Sequence, residues 1–146
     1  MSSFLKNRKL HLILRILFAL IFITASVSKI SDPISFATNV QNFNVLPDSF
    51  VNLFAVIIPW IEFTSGLLLL FNFYVRENIF ILSGLLVIFT LVMIFVLINK
   101  IDVSCGCYGD YFIQKVNSFK VIENIILIIL GSFLYKYAPT KSQPSE

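Results

Sequence analysis

Apolar residues run along this chain in four long blocks, separated by short polar connections. The first is "LHLILRILFALIFITASV" (residues 10–27), interrupted only by Arg15. The second is "FVNLFAVIIPWIEFTSGLLLLFNF" (50–73), with Glu62 as its one charge, and the third is "IFILSGLLVIFTLVMIFVLI" (79–98), with none. A hydrocarbon layer of about 30 Å needs about 20 residues of helix, so each of these blocks predicts a spanning helix. The fourth, 121–137, has a shorter uncharged core, and Lys120, Glu123 and Lys136 must then lie near the interfaces. The pattern predicts an all-α polytopic membrane protein, a bundle of four transmembrane helices. Gly66, Gly84, Ser26 and Ala25 are candidates for close helix contacts.

The connections carry pattern as well. Between the first two blocks, Asp32 is a good N-cap and Pro33 a good first helical residue. Phe36, Val40 and Phe43 follow at helical spacing, which predicts a short amphipathic helix on the outer membrane surface. Pro47 and Asp48 end it and start the second span. The tail "PTKSQPSE" (139–146) reads as disordered and cytoplasmic, leaving 1–138 as one membrane domain. "KNRK" before the first block resembles the start of a signal peptide. Arg15 and the length of the apolar run argue instead for a retained span.

Composition agrees with the pattern. Of 146 residues 58% are hydrophobic and 13% charged, against about 45–50% and about 25% in soluble domains. Phe alone accounts for 16 residues, spread over all spans as packing and lipid-facing surface. The net charge of +3 is carried near helix ends, which makes it a topology signal and gives no support for nucleic-acid binding. Lys6, Arg8, Lys9, Arg15, Arg76, Lys136 and Lys141 fall on one side, and Lys29, Lys100, Lys115 and Lys120 on the other. Positively charged residues favour the cytoplasm. Both termini are therefore expected inside, in a bacterial inner membrane, and the third connection outside, where disulfides persist.

That third connection, "IDVSCGCYGDY" (101–111), holds both cysteines of the chain. Cys105 and Cys107 close a very small ring if oxidised, which requires a bent backbone. Gly106 allows the bend, and Gly109 offers similar freedom just beyond Tyr108. Strained, accessible disulfides are the labile and catalytic ones, so the spacing favours thiol–disulfide exchange. Three other readings stay open: a static disulfide, two thiols without a role, and a Cu(I) or Zn(II) site. A zinc site needs more ligands than two thiolates, and the only histidine, His11, falls at the opposite membrane face, so no metal is assigned.

Glu62 is the main intramembrane charge, and a carboxylate at that depth is a functional candidate by default. Pro59 before it predicts a kink, and Trp60 adds a large ring with one donor. If both helices start flush with the interfaces, Arg15 and Glu62 differ in depth by roughly 9 Å, close enough to pair. Glu62 then either fixes helix register with Arg15, handles a proton, or stays neutral. Lys29, on the same side as the cysteines, reads either as a snorkelling interfacial lysine or as a cation favouring a thiolate.

Taken together, "SKISDPISFA" (28–37), the following "LPDS", "IPWIEFTSGLLLL" (58–70) and "CGCYG" (105–109) resemble the MauE branch of the MauE/DoxX redox-associated membrane proteins. Arg15 fits the same pattern, and the match runs from about residue 8 to 136. The resemblance implies a four-helix membrane protein that helps form or maintain disulfides outside the cytoplasm. Its expected partner is a thioredoxin-like protein or a dehydrogenase subunit under maturation, as in methylamine utilisation. Tyr108 departs from the usual Phe, and Glu123 stands where a basic residue is typical. A quinone as electron acceptor is an analogy with other small membrane thiol oxidoreductases. The rival functions are a non-catalytic anchor for an oxidoreductase and thiolate metal handling.

Overall fold

A computed structural model describes residues 8–42, 47–99 and 118–138. Cys105, Gly106, Cys107, Tyr108 and Gly109, together with Phe43 and 139–146, lie outside the described residues. Within them the apolar blocks become helices; three of the helices run past their blocks to include polar residues, while the one built on block 50–73 stops at Leu70. These helices are α1 (Arg8–Ser31), α2 (Pro33–Asn42), α3 (Asp48–Leu70), α4 (Val75–Ile98) and α5 (Ser118–Tyr137). The first, third and fourth of them are long and apolar enough to cross a membrane. Helix α5 is 20 residues long and carries Lys120, Glu123 and Lys136 towards its ends.

Local signals set the helix ends. The Ser35 backbone N–H donates to Asp32 Oδ1 at 3.0 Å, so Asp32 caps α2, with Pro33 as its first residue. Helix α2 buries Phe36 and Asn39, so a polar residue shares its inner face. Helix α3 ends in a Schellman arrangement. Asn72 takes the left-handed conformation at φ 67°, and the Phe73 N–H bonds the Leu68 carbonyl at 2.9 Å. Asn78 then folds back, donating to the carbonyls of Phe73 and Tyr74 at 3.0 and 2.9 Å. Four residues therefore suffice to reverse the chain from α3 to α4.

The helices form an antiparallel ring. Helix α1 packs chiefly on α3 and α4 on α5, while α3–α4 and α1–α5 contacts close the circle. Phe18, Phe22, Leu69, Ile79, Leu82 and Leu134 fill the centre, with the Phe18 and Phe22 rings 4.9 Å apart. Ile88, Leu91, Ile126 and Ile129 point outward, as lipid-facing positions of a bundle do. The 71–74 turn, the start of α1 and the end of α5 share one end of the ring. Helix α2, the Ile98 end of α4 and the Ser118 end of α5 share the other.

The expected small-residue contacts divide. A Cβ on Gly66 would stand 2.8 Å from Ile23 Cγ1 and 3.4 Å from the Ala19 carbonyl oxygen, and Ser26 is fully buried, so both mark close packing. Gly84 does not: nothing lies within 4 Å of a Cβ built there. The tight α4–α5 approach falls at Gly131, against Ser83 and Phe18. Gly84 sits about 100° around α4 from Ser83, beside that contact line, so its missing side chain leaves a gap instead of a seal.

Candidate functional site

The polar centre of the bundle is built by α1 and α3. Lys29 Nζ donates to Glu62 Oε2 at 2.7 Å, and the two side chains are only 6% and 8% exposed. The ammonium also lies over two rings, 5.3 Å from the centroid of Phe36 on α2 and 5.5 Å from that of Phe89 on α4. Four helices thus converge on one lysine if Asn124 of α5 is counted. That amide lines the same cavity of about 60 Å³, together with Phe22, Ala25, Leu86 and Leu127. Its Nδ2 donates to Met93 Sδ at 3.4 Å.

This site is deep. Phe89 stands about 14 Å from the Ile98 end of a helix about 36 Å long. A lone charge at such a depth costs at least about 2.5–3.5 kcal/mol on insertion scales, which is why the two opposite charges meet. Lys29 is therefore not a snorkelling interfacial residue. Its helix ends only two residues later, but α2 and the first turns of α3 cover that end and bury it. The cavity beside the pair has room for water, which occupies about 30 Å³ per molecule in the liquid. A proton donor, a proton acceptor and an amide around such a space suit a group that holds or passes a proton.

The pairing of Arg15 with Glu62 does not occur. Arg15 is buried at the other end of α1, where its guanidinium donates to the Asn72 amide oxygen in the 71–74 turn. Both contacts follow from one stagger: α3 is shifted along α1, so Glu62 reaches the last turn of α1 and the α3–α4 turn reaches Arg15. The flush-start assumption placed Glu62 too far towards Arg15.

Pro59 is buried inside α3 and cannot donate to the carbonyl four residues earlier, yet the helix runs on to Leu70. Trp60 is 52% exposed and meets Phe63 edge-on at 6.3 Å, so its ring faces away from the Glu62 cavity. His11 lies against Phe133 at 6.4 Å, in the half of the bundle away from Lys29. Asn72, Asn124, Phe89 and Asn39 were missed by sequence reasoning. Asn72 left a signal, because Asn just after an apolar run is a common left-handed helix terminator. A lone Asn within α5 left none.

A family model for the methylamine utilisation protein MauE matches residues 7–137 of this chain. The chain belongs to the MauE family. It is 30% identical to the methylamine utilization protein MauE of Paracoccus denitrificans over 132 residues, covering 90% of this chain and 71% of that protein. The corresponding protein of Paracoccus versutus is 27% identical over the same share of each chain. No solved structure matches the chain. Within this MauE-family chain, the motif segments 28–37 and 58–70 supply Lys29, Phe36 and Glu62, so the matched sequence and the buried polar site coincide.

Proposed function

We propose that this MauE-family protein crosses the bacterial inner membrane four times and exchanges disulfides with a partner through Cys105 and Cys107. The observation that carries the reading is the position of both cysteines in the sequence. In the sequence they fall between α4 and α5, and the Ile98 end of α4 and the Ser118 end of α5 lie at the end of the ring that bears α2 and is nearer the Lys29–Glu62 pair. The distribution of Lys and Arg supports an extracytoplasmic location for that end and a cytoplasmic one for both termini. The family supports a role in methylamine utilisation, with a thioredoxin-like protein or a dehydrogenase subunit as partner.

The exchange conserves its atoms. A partner thiolate attacks one sulfur of the Cys105–Cys107 disulfide, displacing the other as a thiolate and forming a mixed disulfide. The partner's second thiolate then attacks its own sulfur in that bond. The partner leaves with a disulfide and the cysteine pair as a dithiol, a net transfer of two electrons and two protons. The relative reduction potentials set the direction.

A Cys107→Ser protein, offered a partner lacking its resolving thiol, should accumulate a mixed disulfide through Cys105, visible as a reducible adduct on a gel. Partner oxidation should fail in the Cys105→Ser/Cys107→Ser protein at normal membrane levels. Full partner oxidation by that double variant would leave the anchor reading standing. The Lys29–Glu62 pair holds α1 on α3, passes a proton, or does both. Glu62→Gln separates them: lost exchange at normal stability assigns the proton, while lost stability assigns the scaffold.

A further inference from the structure

A second cavity, which shares no lining residue with the one beside the ion pair, lies between α4 and α5. It is a groove of about 340 Å³ on the outside of the ring, walled by Val87 on α4 and by Ile128 and Ser132 on α5, with Gly84 leaving it open. Phe80 and Tyr135 close one end, their ring centroids 6.2 Å apart. The groove's floor is the close approach of Gly131 to Ser83, where a Cβ on Gly131 would collide with the Ser83 hydroxyl. A volume of this size is that of a small-molecule pocket, and its walls are apolar.

The Tyr135 end is charged. The Arg76 guanidinium carbon lies 4.6 Å from the Tyr135 ring centroid, and Lys136 occupies the same last turn of α5. Among the described residues Arg76 makes no ion pair, although Glu77 is its neighbour in the first turn of α4. Tyr74 at the N-cap of α4 offers no side-chain hydrogen bond, so this helix N-terminus adds free N–H groups and positive potential. An apolar trough between membrane helices, ending in Arg and Lys at the water interface, matches one chemistry. That chemistry is an acyl chain joined to an anionic phosphate.

We propose that the α4–α5 groove is a binding site for one anionic phospholipid. Its acyl chain lies over Gly84 and between Val87 and Ile128, and its phosphate meets Arg76 and Lys136 at the first turn of α4. Tyr135 separates the two regions and holds the guanidinium in place by stacking. A zwitterionic lipid fills the same trough but gains less at the rim, because its net charge is zero.

The test is native mass spectrometry of the full chain, delipidated and then offered phosphatidylglycerol or phosphatidylcholine in mixed micelles. One phosphatidylglycerol should be retained per chain. Its preference over phosphatidylcholine should be about 25-fold, the product of roughly fivefold for each of the two basic residues at an anionic surface. Arg76→Gln/Lys136→Gln should bring that ratio close to one without lowering the amount of folded protein. Gly84→Leu should expel the lipid by filling the trough; if that variant does not fold, the charge variant decides alone. Equal retention of both lipids overturns the proposal and leaves an ordinary lipid annulus. So does a Gly84→Cys protein that cross-links to a second copy in place of holding lipid.

Discussion

The two long helix seams of this protein solve the same problem in opposite ways. Along α1–α3, Gly66 is sealed by Ile23 and Ala19, and Lys29 is neutralised by Glu62. Along α4–α5, among the described residues, Gly84 faces open space and the buried Ser83 hydroxyl has no hydrogen-bond partner. Other hydroxyls in the bundle, on Thr24, Thr64 and Thr90, bond back to their own helix carbonyls. The first seam spends its small residues on bringing backbones together around a polar centre. The second closes in the same way at Gly131 but leaves a gap to the lipid side at Gly84. A glycine in a membrane helix therefore says only that a side chain is absent, and packing decides whether a neighbour or a ligand takes the space.

Breaking the charge in the tight seam should have the largest effect. Lys29→Ala leaves Glu62 buried and uncompensated, and should cost about 3–5 kcal/mol in a reversible denaturation in mixed micelles. Lys29→Met/Glu62→Leu should recover most of that loss, because two apolar residues replace a pair whose desolvation was already costly. Stability without exchange activity in that double variant would assign the pair a functional part.

Next comes the anchor at the far end of the same seam. Arg15→Met removes a bond from a charged donor and should cost about 1.5–3 kcal/mol in the same assay. Asn72→Gly should cost less than Asn72→Ala, since glycine keeps the left-handed turn while alanine strains it.

The glycines give the sharpest contrast. Gly66→Ala pushes a methyl against Ile23 and should cost about 1–3 kcal/mol. Gly84→Ala meets nothing and should leave stability unchanged or raise it by up to about 1 kcal/mol through helix propensity. Equal effects at the two positions would erase the distinction between the seams. The smallest change is Asp32→Ala. It removes the cap of α2, the lid over Lys29, and should cost about 1 kcal/mol, read as faster hydrogen exchange at Phe36.

Much of the α-helical framework was legible because a lipid solvent leaves few choices. Backbone groups without water must bond within helices, so long apolar blocks had to be helical. The blocks 10–27 and 79–98 stopped short of the real ends because Lys29 and Arg76 looked like boundaries. Both belong to helices, one neutralised by a carboxylate and one stacked on a ring. The cap at Asp32 was readable since it depends on residues three apart in the chain.

The candidate site was legible only in its members. Glu62, Lys29 and Arg15 stood out as charges in apolar surroundings, and two of the three form the buried pair. Their partners did not stand out, because a helical sequence gives distance along one axis but neither the stagger nor the rotation of its neighbour. A shift of one helix along another by two or three turns exchanged Arg15 for Lys29 and sent Arg15 to Asn72.

The sequence by itself determined that this chain is helical, membrane-embedded and a MauE-family protein with a paired-cysteine connection, because hydropathy and short motifs act locally. Tertiary structure alone decided which charges meet, which glycine is sealed and which is open. Those outcomes depend on how side chains from different helices interlock, and sequence spacing carries no measure of that.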